Sequence, residues 1–351
     1  MDWPTLPPQA FAQVAAVRDG QVRVGPLVGV PRLLSGLGRD PATVIRAAGV
    51  DPRLLDDPEG HIDFAVMGRV LAHCAASTGC PHFGLLLGQR FGLADLGLVG
   101  LLVQQSPDVE QALRNLVRHL PVHDRGAVAT LVVEGDRAVL GYAIYQPGVE
   151  GVRQIYDLAA AIGRNVLRTL CGPYWRPIEV RLPHRRPAPI APFDRFFQAP
   201  VRFDAERAAL VFTAASLRQP LRGADRVLHA LLEARIGALE APAGGDIGTR
   251  VRGVLRDLLL GGRGSLEETA QAFAIHPRTL NRRLRERGLT FRGLLDESRY
   301  DMARQLLRET ELTAVAIAAV LDYAEAPVFT RAFRRWSGTT PTAWRAAQGG
   351  E

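Results

Sequence analysis

Lysine is missing from this chain of 351 residues; all 43 basic side chains are arginine. That absence removes Schiff-base chemistry and the phosphate loop ending in G-K-[ST], both of which need an ammonium group. GC-rich coding is the plainer cause, since alanine, glycine and proline are also abundant, but arginine still offers planar bidentate geometry to bases and phosphates. Cysteine is scarce too. Cys74, Cys80 and Cys171 are too few and too unevenly placed for a disulfide framework, so a reducing, cytoplasmic setting is expected. His73, Cys74, Cys80 and His82 can be drawn as a metal site, but their spacing and helical context favour buried small hydrophobes and a helix end. Nothing in the sequence points to a cofactor. There is no G-x-S-x-G elbow and no H-E-x-x-H, which speaks against an enzyme. The longest apolar stretch, Leu96 to Val103, is too short to cross a membrane. Asp2 and early prolines stand where a signal peptide would have a basic and then an apolar region.

What is present describes an ordinary globular protein with room for two domains: 47% apolar and 23% charged residues. The formal charge is +7, unevenly distributed. Residues 248–351 hold 17 arginines against 12 acids, a balance of +5, and residues 1–247 hold 26 against 24, a balance of +2. The excess positive charge lies toward the C-terminus.

Residues 1–25 have scattered prolines and weak periodicity and read as a poorly ordered arm. Residues 26–239 read as an α+β domain with helices and sheet largely segregated. Its helices are expected at Val30–Leu37, Pro41–Ala48, Asp63–Ser77, Phe83–Gly88 and Asp108–His119. A β-hairpin follows, Ala127–Val133 and Ala138–Tyr145, then a long helix over Arg153–Leu170 with Ile155, Leu158, Ala159, Ile162 and Val166 inward. Ile178–Leu182 reads as a strand, Pro187–Pro192 as a loop, and Phe196–Phe203 as a lead into strand at Leu210–Thr213. A last helix, Ala224–Leu239, has Val227, Leu228, Leu231, Leu232 and Ile236 as its inner stripe. Residues 240–246 are dense in proline and glycine and read as the linker. Residues 247–351 then form an all-α domain.

That C-terminal domain carries one pattern twice. At about 100° per residue, Asn281, Arg282 and Arg285 fall within about 60° of Arg278, while Leu280 and Leu284 lie on the opposite side. Forty-nine residues on, Pro327, Thr330, Arg331 and Arg334 take the outer positions and Phe329 and Phe333 the inner ones. A lone helix of this kind is as well explained as a solvated surface helix. The repeat, each time after a short alanine-rich helix and a corner, points instead to two helix-turn-helix units. Ser265 and Glu268 form an S-x-x-E capping box, Thr313 caps the equivalent helix, and Gly288 and Gly338 stand at left-handed C-caps. Between the units, Thr290–Glu309 has helical spacing. About eighteen residues span roughly 27 Å, a spacer suited to holding two reader helices about one DNA turn, ~34 Å, apart.

RTLNRRLRERG, F-x-x-L-L-D-E-x-R-x-x-x-A-x-x-L-L and F-T-R-A-F-R-R-W-S-G-T-T-P together resemble the DNA-binding domain of the AraC/XylS family of bacterial transcription regulators. The resemblance places Arg278, Asn281 and Arg282 at the base-reading positions of the first unit and Pro327, Thr330 and Arg331 at those of the second, with Arg285 and Arg334 better placed for phosphate. Arginine can grip guanine O6 and N7, and asparagine adenine N6 and N7, through paired bonds, so the chemistry fits. Ala274 and Asp322 stand where the family has its turn glycine, and Pro327 replaces a side chain that could bond a base. The first unit is therefore expected to carry more of the specificity. In the N-terminal half, H-I-D-F, T-G-x-P-x-F-G-L-x-L-G, S-P-D-V-x-x-A-L-R-N-L, G-P-x-W-x-P and R-F-F-x-A-P-V-R-F-D are similar to the arabinose-binding-type domain of the AraC branch that includes regulators of ornithine use and virulence.

The resemblance implies a transcription regulator acting on double-stranded promoter DNA, controlled by a small-molecule effector, an activator working with RNA polymerase, and a homodimer. Candidates for an effector pocket are polar tips on apolar elements: His119 and His123, Tyr142 and Tyr145, and Arg153 and Tyr156. Each is more readily a rim or surface residue of a packed α+β core, and Arg153 in a cavity would favour a carboxylate ligand. The rival functions are a DNA-targeted enzyme, opposed by the missing motifs, and a nonspecific architectural DNA protein, opposed by the modest charge.

Overall fold

A computed structural model describes residues 17–18, 20–146, 148–240, 247–260, 264–273, 275–309, 313–321, 323 and 325–348. The chain divides into two units, Met1–Gly245 and Asp246–Glu351. The first runs through β1 (Gln21–Arg23), α1 (Val30–Gly36), α2 (Pro41–Ala47), β2 (His61–Asp63), α3 (Phe64–Thr78), α4 (Phe83–Gly88), α5 (Leu98–Gln104), α6 (Val109–His119), β3 (Ala127–Glu134), β4 (Arg137–Ile144), α7 (Val152–Cys171), β5 (Glu179–Arg181), α8 (Ala191–Phe197), β6 (Val201–Arg202), β7 (Ala208–Thr213) and α9 (Arg226–Glu240). This is an α+β domain.

Its main sheet has the order β3-β4-β7-β5-β6, antiparallel except for the β5–β6 pair. The β3–β4 hairpin closes on Gly135 and Asp136, with Glu134 opposite Arg137 and Gly135 at φ 62°, a conformation glycine adopts without strain. Alternation sends Leu140, Tyr142 and Leu210 to one face, while Val139, Ala209 and Val211 form a small apolar cluster of their own. α7 lies close over the first face: a Cβ on Gly163 would come within 3.0 Å of Leu210 Cδ1. α7 also presses on α4, where Cβ atoms on Gly84 and Gly88 would collide with Gln154 O at 2.0 Å and Ala161 Cβ at 2.7 Å. The glycines of the F-G-L-L-L-G run are thus contact points for α7, and Gln154 ties the junction by accepting from Gly84 N and donating to Pro81 O.

Helix starts follow local chemistry. Asp40 accepts from Thr43 N and Asp108 from Gln111 N, each satisfying an amide the first turn leaves open. Four expectations change. Residues 17–18 and 20–25, read as part of a poorly ordered arm, belong to the domain: Val17, Val22 and Val24 are buried, and β1 pairs with β2. Residues 98–104 form α5, which continuous apolar character concealed. The stretch read as leading into strand is partly α8, where Phe193 and Phe197 sit one helical turn apart and fully buried. On α9 only Leu232 and Ile236 of the expected inner stripe are buried; Val227, Leu228 and Leu231 are 71%, 41% and 64% exposed. Residues 241–246 of the expected linker lie outside the described residues.

The second unit is all helical: α10 (Ile247–Leu260), α11 (Leu266–Ala272), α12 (Pro277–Arg285), α13 (Phe291–Glu309), α14 (Ala314–Val320), α15 (Ala326–Ser337) and α16 (Pro341–Gln348). It holds two small cores. Val251, Leu255, Ala270, Leu280, Leu284 and Leu294 make the first. Leu259, Met302, Ala303, Leu307, Ile317, Leu321, Phe329 and Phe333 make the second. α10 and α13 contribute to both, so one pair of helices joins two helix-turn-helix cores. Among the described residues, no helix is long and apolar enough to cross a membrane.

Candidate nucleic-acid interface

Each reader helix is placed by a short capped helix before it. Ser265 starts α11: its Oγ accepts from Glu268 N at 3.1 Å while Glu268 Oε2 accepts from Ser265 N at 3.1 Å, a reciprocal capping box. Thr313 Oγ1 accepts from Ala316 N at 3.2 Å to start α14. α12 begins at Pro277, with His276 Nδ1 accepting from Arg278 N at 3.2 Å. Beyond its end, Leu289 N donates to Leu284 O at 3.0 Å and Gly288 sits at φ 70°, while Gly338 closes α15 at φ 77° with its N–H on Arg334 O. Of the corner positions, Ala274 and Asp322 lie outside the described residues.

On α12, Leu280 and Leu284 are fully buried; Arg278, Arg282 and Arg285 are exposed and Asn281 is half-buried. On α15, Phe329 and Phe333 are fully buried; Pro327, Arg331 and Arg334 are exposed and Thr330 is half-buried. All eight residues expected to face DNA therefore lie on the sides of α12 and α15 away from their cores. Arg282 Nε stands 3.6 Å from Glu286 Oε1, with both side chains well exposed. A surface pair of this kind is worth little, about 0–1 kcal/mol, so exchanging it for a base or phosphate costs little. Arg335, beside Arg334, instead pairs with Asp296 of α13 at 3.1 Å. Arg299 of α13 holds the residues that follow α14, donating to Leu321 O and lying 4.7 Å over the Tyr323 ring.

The N-terminal domain holds a partly open cavity of about 110 Å³ between the β3-β4-β7 face, α6 and α7. Leu116, Leu140, Ile155, Leu158, Val166 and Leu210 wall it, and its polar groups are His123, Asp124 and Tyr142. Tyr142 Oη donates to Asp124 Oδ2 at 2.6 Å, and Asp124 Oδ1 accepts from the amides of Gly126 and Ala127 at 2.8 and 3.2 Å. Burial pushes the Asp124 carboxyl up to about 6, against those hydrogen bonds. Burial, together with Arg23 3.2 Å from its Nδ1, pushes His123 down to about 3, so its imidazole is neutral.

Tyr142 and His123 line this cavity; His119, Tyr145, Arg153 and Tyr156 do not. Tyr156 packs edge-on against Tyr142 with ring centres 6.4 Å apart, and His119 is buried at the end of α6. Sequence reasoning passed over Asp124, which lies between elements and carries no periodic signal; an aspartate ahead of Arg-Gly and a strand is its only trace. Cys74 and Cys80 are buried in the N-terminal core, where burial raises the Cys74 thiol to about 12. No group of three or more His, Cys, Asp or Glu among the described residues is placed to hold a metal.

Residues 38–221 match the arabinose-binding domain of AraC transcription regulators, N-terminal, and residues 269–347 match a helix-turn-helix domain. The chain is 29% identical over 330 residues to the HTH-type transcriptional regulator VirS of Mycobacterium tuberculosis, covering 93% of this chain and 97% of that protein. It is 28% identical over 319 residues to the ornithine utilization regulator of Pseudomonas aeruginosa, covering 90% and 93%.

Proposed function

Since the chain belongs to the AraC family of transcription regulators and is not an enzyme, we propose that it binds promoter DNA sequence-specifically under the control of a small molecule held in its N-terminal domain. One observation carries this: two helices, each seated on its own apolar core, present the same basic register outward, with Arg282 and Arg331 both exposed. Base edges are read by the first turns of such helices in the major groove. Arg278, Asn281 and Arg282 have the donors for paired bonds to guanine and adenine. Pro327 offers none, so the second unit relies on Thr330 and Arg331, and Arg285 and Arg334 serve the phosphates.

Control by an effector is supported by the apolar cavity in the N-terminal domain, and the working form is an activator that meets RNA polymerase. A homodimer is the proposed assembly. The exposed apolar row Val227, Leu228 and Leu231 on α9 supports placing the contact there, because contiguous exposed apolar surface on a globular domain marks an interaction site.

Genome-wide mapping of bound DNA supplies the fragment for the test. Specific affinity for it exceeds that for random duplex by about 10³-fold or more, and Arg282→Ala erodes the difference. Equal affinity for all duplexes would sink the proposal.

A further inference from the structure

We propose that the cavity between α7 and the β3-β4-β7 face binds a small apolar molecule, about the size of one six-membered ring, that carries a single hydrogen-bond-donating head and no negative charge. The proposal rests on the reading that the N-terminal domain senses a small molecule, and names what that molecule must look like.

Size comes from the walls. Protein interiors hold few voids larger than a water molecule, and a space of about 110 Å³ is several times that. An apolar cavity of roughly 150 Å³ stays dry and accepts benzene; this one is smaller but partly open, so it suits one ring with a short head, about seven to nine heavy atoms. Small residues from two strands and one helix make the room: Ala129, Ala208, Ala159 and Gly163 line it. Larger side chains at any of these positions would fill the space, which marks the void as a feature of the sequence and not of one loose contact.

Chemistry comes from the polar end. Asp124 Oδ1 is occupied by two amides, while Oδ2 receives only the Tyr142 hydroxyl among the described residues, and a carboxylate oxygen accepts more than one bond. Tyr142 spends its proton on Asp124, so its oxygen is also left as an acceptor. Two acceptors side by side call for a donor. No cation among the described residues pairs with Asp124; the guanidinium of Arg23 is held by Glu59 and His123. A ligand hydroxyl or amine completes the site, and an ammonium would also supply the missing positive charge. A ligand carboxylate would face Asp124 with no arginine to receive it, since Arg153 does not line the cavity. A sugar would leave most of its hydroxyls against hydrocarbon, each at the cost of a lost hydrogen bond.

The test uses the full chain and four ring-sized probes: benzyl alcohol, benzylamine, toluene and benzoate, followed by calorimetry and ligand-observed NMR. Benzyl alcohol and benzylamine bind more tightly than toluene, and benzoate binds weakest. Tyr142→Phe weakens the alcohol about tenfold, the worth of one hydrogen bond, while changing toluene by less than about twofold. Ala129→Leu fills the space and abolishes binding of all four. Tightest binding by benzoate, or unchanged alcohol affinity in a folded Ala129→Leu protein, overturns the proposal. Promoter binding is measured on the same samples. If no probe binds to protein that still distinguishes promoter from random duplex, the cavity proposal fails and the DNA reading stands. If the alcohol binds to protein that makes no such distinction, the cavity stands and the DNA reading fails.

Discussion

The two domains bury different kinds of residue. Among the described residues, the N-terminal interior holds Arg23, Asn115, His119, His123, Asp124, Arg125, Gln154, Asp157 and Arg164, whereas Thr269 and Ser298 are the buried polar side chains of the C-terminal domain. Buried ionisable groups cost stability unless fully paired. The C-terminal domain avoids that cost: its cores are hydrocarbon and aromatic, and the arginines Arg278, Arg282, Arg285, Arg331 and Arg334 of α12 and α15 are exposed, where a polyanion can meet them. On the proposed reading, the N-terminal domain keeps polar groups inside because its ligand is met there. The contrast matches the proposed division between a surface reader and an internal sensor, and each side of it can be broken.

The largest effect is expected in the second reader core. Phe333→Ala removes a fully buried ring packed against Phe329, Tyr300 and Trp344 and costs about 3–5 kcal/mol; thermal unfolding shows the C-terminal transition lowered while the N-terminal one stays. Next comes Asp124. It ionises near 3.8 in the unfolded chain and at about 6 in the folded one, so its protonated form favours the fold below pH 3.8 and that contribution is lost as pH rises through 6. At 1.36 kcal/mol per unit, Asp124→Asn removes a pH-dependent loss of about 3 kcal/mol. Denaturant unfolding at pH 4 and pH 7 therefore gives the variant a flatter dependence than the parent. A variant with the parent's slope would place the titration elsewhere.

Smaller effects probe the surface. Arg282→Ala lowers discrimination between the preferred and a mismatched base by about 1–3 kcal/mol, read by competition binding. Ser265→Ala breaks the capping box and costs about 1 kcal/mol of C-terminal stability. Arg285→Ala weakens every duplex alike and reduces the slope of log affinity against log salt by about 0.9; a change in base preference instead would make it a base reader.

Much of the C-terminal domain was legible because it is built from local signals. Leucines or phenylalanines at i and i+4, opposite arginines, with a cap before and a glycine after, define α12 and α15 without reference to the rest of the chain. The β3–β4 hairpin and α7 were legible for the same reason. α9 misled because five apolar residues lie near one stripe, yet the domain offers cover to Leu232 and Ile236 only, and which half of a stripe is covered depends on neighbours. α5 was hidden since a wholly apolar run has no period to detect. The cavity was the least legible feature. Its walls come from the stretch between β1 and α1 as well as β3, β4, β7, α6 and α7, and small residues scattered over such distances show no pattern until the chain is folded.

The account stands on both reader helices engaging one duplex together. Base-by-base interference mapping on a bound promoter fragment, with Arg282→Ala and Arg331→Ala compared against the parent, tests this most directly. Each substitution is predicted to relax base preference in a separate segment, the two centred about 10 base pairs apart. If both changes affect the same segment, or Arg331→Ala leaves every position unchanged, the two helices do not read adjacent grooves and the account is contradicted.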